Sequence, residues 1–173
     1  MQNKFNQLLN FAPILRIRRN HALEHATLQI LAQKNARLSL FGYSDLEGFS
    51  VVGNLSTDDL QAAVNEALKR LKAGEWQLAI HPHCGTNFVA GGVVAGLFAW
   101  LAMAGSGSGL GKRLEKLPVV MAVVTLGTML AQPLGPWLQA KVTTEGYIGD
   151  LEVVSVTRFQ REGAPVHKVR TAK

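Results

Sequence analysis

The sequence predicts an α+β protein: a small α-β-β-α-β domain completed by a carboxy-terminal β-hairpin, with a transmembrane helical hairpin inserted into it. Three observations predict this. Charged residues make up only 17% of the 173-residue chain, against about 25% in soluble domains, and residues 76–140 hold just four of them, Lys112, Arg113, Glu115 and Lys116. Apolar residues recur at helical spacing over 20–34 and 57–73. Alternating stretches bounded by turn formers occupy 37–54 and 151–169. The implied organisation is a basic amino-terminal segment, 1–19, an α+β domain built from 20–87 plus 141–173, and a helical hairpin over 88–140.

In chain order, Phe5, Leu8, Leu9 and Ala12 share a helical face before Pro13, and Lys4, Arg16, Arg18 and Arg19 surround it without an acid. Such a segment suits an anionic membrane surface or a terminal helix packed on the domain. Asn20 is the expected N-cap of a helix from His21 to about Lys34. LSLFGY and GFSVVGN form a hairpin around Ser44-Asp45-Leu46-Glu47, with Asp45 and Glu47 as turn residues. Ser56 with Asp59 resembles a capping box, and Leu60, Val64, Leu68 and Leu71 define an amphipathic helix over 57–73 that ends at Gly74. Trp76 to Ile80 reads as a short strand. Leu151 to Phe159 and Val166 to Val169 read as strands joined at Glu162-Gly163-Ala164-Pro165. His167, on the last strand, is expected to be exposed.

The charge-free stretches carry the membrane expectation. Phe88 to Ala104, at about 1.5 Å per residue, covers most of a hydrocarbon core of about 30 Å. Leu117 to Ala140 is the second span, interrupted near its end by Gln132, Pro133 and Pro136. A buried helical hairpin of a soluble protein is the alternative. Gly92-x-x-x-Gly96 and Ala95-x-x-x-Ala99 give the first helix a small-residue stripe suited to helix-mediated homo-oligomers. Trp100 and Trp137 suit a headgroup level or a core role. GSGSGLGKR lacks the spacing of a phosphate loop and reads as a flexible connector. Basic residues at both ends of the hairpin leave orientation weakly set. The larger basic part favours the cytoplasmic side of a bacterial inner membrane or its equivalent.

The formal net charge is +6 and the pI about 9.8, yet no interleaved aromatics or recognition-helix pattern accompany the charge, so no nucleic-acid partner is expected. The composition excludes a disulfide scaffold, since Cys84 is the sole cysteine. The expected partners are membrane lipid and a small or lipid-soluble substrate.

Two motifs carry chemistry. In His21-Ala22-Leu23-Glu24-His25 the two histidines lie about 40° apart on a helix, so both imidazoles can meet one cation. Glu24 lies beside them as general base or as a partner orienting an imidazole, with pairing to a nearby arginine as the bland alternative. HxxEH is the inverzincin arrangement. The third, glutamate ligand of those peptidases would fall in the charge-free stretch here, so that peptidase chemistry is not expected. The second motif is His81-Pro82-His83-Cys84-Gly85-Thr86-Asn87, immediately before the first apolar helix. Mixed His and Cys ligands select zinc or iron over magnesium. The expected metal ligands are therefore His21 and His25, with Cys84 or His81 completing the set around a divalent metal, zinc, and with Glu24 as the catalytic residue. A small buried cysteine, or a thiol nucleophile, is the competing role for Cys84.

NHALEHATLQIL followed by HPHCGTNF resembles a family of bacterial membrane proteins known as a domain of unknown function, and also YqhQ-type proteins, whose label of metal-dependent enzyme is itself inferred. The signatures there read approximately HGAEHKT and HPRCGTSF. The match covers His21, Glu24 and His25, then His81, Pro82, Cys84, Gly85, Thr86 and Phe88. A VTTEG-like segment at Val142 to Gly146 extends it. His83 stands where the YqhQ-type motif has arginine, so it is left out of the ligand set. The resemblance implies that the two motifs belong to one site and names no substrate. The expected function is a membrane-anchored metal-dependent enzyme of hydrolase type. A non-catalytic metal-binding or assembly protein and a metal-free thiol enzyme are the alternatives.

Overall fold

The computed structural model describes residues 4–105 and 109–172. Positions 106–108 of the expected connector and 1–3 of the amino-terminal segment lie outside the described residues. The chain divides into two compact units, Met1–His81 with Gln139–Lys173, and Pro82–Leu138.

The first unit opens with a short helix α1, Lys4–Leu9, and a long helix α2, Ala12–Lys34. Pro13 sits in the first turn of α2, where its missing N–H removes no intrahelical bond. The helix therefore starts well before His21, and Asn20 is no N-cap. It is fully buried inside the helix. Its amide donates to the Asp45 carbonyl and its Oδ1 accepts the Thr171 hydroxyl, each at 2.8 Å. A residue expected to start a helix instead ties that helix to the sheet.

Strands β1, Phe41–Asp45, and β2, Gly48–Val52, form the expected hairpin with Leu46-Glu47 at its tip, although β1 starts at Phe41 rather than residue 37. Helix α3, Thr57–Lys72, starts at the predicted cap: the Ser56 hydroxyl oxygen accepts the Asp59 N–H at 3.0 Å. Strands β3, Glu152–Arg161, and β4, Ala164–Ala172, are joined at Glu162-Gly163. Both turn residues have positive φ, 53° and 81°, the conformation of a primed two-residue turn. The sheet is antiparallel with order β1-β2-β4-β3. Leu23, Ile30 and Leu31 of α2, Leu60, Val64 and Leu71 of α3, and Phe49, Val51 and Val169 of the sheet form its core.

Because β4 is an interior strand, residues alternating with its outward positions must enter that core. His167 is accordingly buried, not exposed. Its Nε2 lies 3.2 Å from the Thr57 hydroxyl, and burial, then the nearby Arg158 charge, holds its pKa below the ordinary histidine value.

Residues Trp76–Ala79 form a 3₁₀ turn, not a strand. Their carbonyls are taken by side chains: the Gln29 amide donates to Leu78 and Ile80 at 2.8 and 2.9 Å, and the His25 ring to Ala79 at 2.6 Å. With those acceptors occupied, no neighbouring strand is required.

The second unit is helical: α4, Gly85–Met103, α5, Leu110–Glu115, α6, Leu117–Ala131, and α7, Leu134–Leu138. Helices α4 and α6 pack together, with Phe98 against Gly127, where a Cβ would meet the ring at 2.8 Å. Only Ala90 of α4 is buried, and Trp100 is 69% exposed. Among the described residues, α4 is the one unbroken helix long and apolar enough to cross a membrane, with a mean hydropathy of 1.6. The second expected span breaks after Ala131. Its 15-residue first part reaches about 22 Å, so it attains a span's length only together with the helix that follows.

Candidate metal centre

The site is built on the middle of α2. Arg18, buried, donates through Nε to the Val142 carbonyl at 2.8 Å and through Nη2 to that of Thr144 at 2.9 Å, and it pairs with Glu145 at 3.4 Å. The Glu145 N–H returns a bond to the Arg18 carbonyl at 3.0 Å. This clamp holds the VTTEG segment along the helix and sets the Thr143 carbonyl 3.0 Å from Nδ1 of His21. One turn on, Nδ1 of His25 meets the Ala79 carbonyl.

A carbonyl can only accept, so each Nδ1 carries the proton. In the neutral ring each Nε2 then carries the lone pair. This is the arrangement that orients a metal-binding histidine. The two rings meet edge to face with centroids 4.2 Å apart, and their ligand nitrogens lie within 4.8 Å of one another. The HxxEH spacing thus does bring its two imidazoles together.

His81 joins from the end of the 3₁₀ turn, its ring centroid 5.5 Å from that of His25. Its backbone is gripped on both sides by the fully buried Gln139, whose Oε1 accepts the His81 N–H at 2.8 Å while its amide donates to the His81 carbonyl at 3.1 Å. The sequence reading missed Gln139 and Gln29. Gln139 could have been noticed as a polar residue at the end of an apolar run, but its target is visible only in the fold.

Glu24 is 3% exposed. Its carboxylate accepts the Ser44 hydroxyl from β1, and no ion pair to arginine reaches it among the described residues. Burial raises its pKa, opposed by the Ser44 bond and the His21 charge. Gly42 lies beneath it, where any Cβ would occupy the space of the carboxylate. Cys84 is buried at the start of the second unit and caps α4, its sulfur accepting the Thr86 N–H at 3.4 Å. His83 is exposed.

Fold and site together define an α+β protein with a buried His/Glu cluster and an apolar helical insertion. The chain belongs to the family of a domain of unknown function, DUF6391, which matches residues 16–156. It is also similar to an uncharacterized protein of Picosynechococcus sp., 36% identical, with the match covering 83% of this chain and 74% of the relative. No solved structure matches.

Proposed function

We propose that this protein is a membrane-anchored, metal-dependent enzyme of hydrolase type. One observation carries the metal reading: adjacent helical turns present two histidines whose Nδ1 atoms both face carbonyls, which leaves Nε2 of each as the atom able to bind a cation. Nitrogen ligands of this kind, completed by the Cys84 sulfur or by His81, favour zinc. Cys84 follows His81 by three residues, so the chain keeps it within about 10 Å. A divalent cation held there would supply a positive charge able to polarise a water or a substrate carbonyl. Glu24, with its pKa raised by burial, is suited to take a proton nearer neutral pH than an exposed carboxylate. Ser44 fixes the carboxylate in place.

The membrane part rests on α4, whose large side chains Phe88, Val89, Val93 and Leu101 are exposed, which suits lipid rather than water. The basic first unit favours the cytoplasmic side of a bacterial inner membrane, and a lipid-soluble substrate fits this location. The commitment of Glu24 to Ser44 also favours a second reading, a closed metal site without catalysis.

Elemental analysis of detergent-solubilised protein tests the proposal. About one zinc per chain is expected, lost in both His21→Ala and His25→Ala. Full occupancy in both variants contradicts it. Rapid alkylation of Cys84 that chelator leaves unchanged would favour a metal-free thiol enzyme instead.

A further inference from the structure

Away from the histidines, the amino-terminal end of α2 lines a cavity of about 440 Å³, within the range of small-ligand sites. Pro13, Leu15, Leu46 and Leu151 supply apolar walls, and Arg16 and Arg19 bring two guanidinium groups into the same space. One carboxylate, Asp150, stands against them. It lies 3.7 Å from Arg19 and is largely exposed.

Arg16 spends one terminal nitrogen on the Thr171 carbonyl at 2.9 Å and makes no ion pair among the described residues. The Nε atoms of both arginines are buried and lack an acceptor. Two guanidiniums against one carboxylate leave about one positive charge uncompensated beside an apolar wall, which matches a monoanion with an apolar portion. The planar fork of arginine favours phosphate and carboxylate oxygens.

The chain entering the cavity indicates where that ligand comes from. Phe5, Leu8 and Phe11 are all exposed and lead directly into Ala12 and Pro13, which line it. Exposed aromatic and aliphatic residues beside arginines are the make-up of a segment lying at a lipid–water interface. We propose that the cavity binds the phosphodiester headgroup of an anionic phospholipid. The phosphate lies on the terminal nitrogens of Arg16 and Arg19, and the glycerol and first chain carbons lie against Pro13, Leu15 and Leu46. This rests on the membrane part of the reading above and not on the metal.

The test is native mass spectrometry of the full chain in neutral detergent with chelator present. The probes are dihexanoyl phosphatidylglycerol, dihexanoyl phosphatidylcholine and chain-free glycerophosphoglycerol. One phosphatidylglycerol per chain is expected, bound about ten-fold or more tighter than either other probe. The double variant Arg16→Gln/Arg19→Gln should weaken it by about ten-fold, and Asp150→Asn, which retains both arginines, should tighten it about three-fold. Equal binding of phosphatidylcholine, or no change in Asp150→Asn together with the double variant, overturns the proposal. Equal binding of glycerophosphoglycerol overturns the lipid source and assigns the cavity to a soluble phosphodiester. His21→Ala should leave phosphatidylglycerol binding intact whether or not it removes metal, and Val93→Arg, in α4 and not among the residues lining the cavity, should leave it intact whether or not it prevents membrane insertion, so failure of either part of that reading and failure of this one are separable.

Discussion

The two units invert each other's burial. In the first, Arg18, Asn20, Glu24, His25, Gln139 and His167 are all buried, although such groups ordinarily stay at the surface. In the second, the side chains of Phe88, Val93, Leu97, Met121 and Leu130 are exposed, although such groups ordinarily fill cores. The first inversion is met by partners within the chain, and the second suits the lipid surrounding proposed above. Burying polar groups is tolerable where each meets a partner, and here the partners fix the ring orientation of two histidines. Exposing long apolar side chains all round a helix is tolerable where the solvent is lipid.

Substitutions in the two units should have different consequences. The largest expected effect is in the second unit. Val93→Arg puts a charge near the middle of α4, which costs about 3 kcal/mol in a membrane-spanning helix and almost nothing on a helix facing water. Membrane fractionation and an insertion assay read the difference, and unchanged behaviour would remove the lipid reading. In the first unit, Gln139→Leu deletes both bonds to the part-buried His81 backbone, a loss of about 2 kcal/mol in thermal unfolding. Ser56→Ala, at the cap of α3, which carries none of the proposed ligands, should lower stability by about 1 kcal/mol and leave metal content unchanged.

Glu24 makes the stability of the first unit depend on pH. Its folded-state pKa is raised by burial, so the folded state favours the protonated form. Stability is therefore highest below the unfolded value of 4.5, declines as pH rises toward the folded pKa, and carries the full penalty above it. Metal-free Glu24→Gln should be more stable than the parent at neutral pH, with the advantage vanishing as pH falls below 4.5. A constant difference across that window in chemical unfolding would show that burial does not set the ionisation. His167 acts in the opposite direction: its folded pKa is lowered, so it removes stability as pH falls through its ordinary value of 6.5.

Local signals made much of the fold legible. The Ser56 cap, both hairpins and the apolar α4 are stated by spacing and turn residues, and HxxEH placed its histidines on one helical face. Tertiary partners hid the rest. Nothing local to WQLAI reveals that Gln29 and His25 will take its carbonyls and hold it as a turn. Asn20 has the composition of a cap, but Pro13 starts the helix earlier and the sheet claims its amide. His167 looks like an exposed strand residue until β4 is found between β2 and β3. Of the candidate site, the pairing of His21 and His25 on one helical face was readable. The carbonyls of Thr143 and Ala79, which set the tautomers, and Ser44 and Gly42, which seat Glu24, belong to segments up to 122 residues distant.

The metal-edge X-ray absorption spectrum of zinc-loaded, detergent-solubilised protein tests the central claim most directly. Imidazole nitrogens are expected at about 2.0 Å, with scattering that diminishes in His21→Ala and in His25→Ala, and a sulfur at about 2.3 Å that disappears in Cys84→Ser if Cys84 rather than His81 completes the set. A spectrum of oxygen ligands alone, unchanged in the two histidine variants, would contradict it.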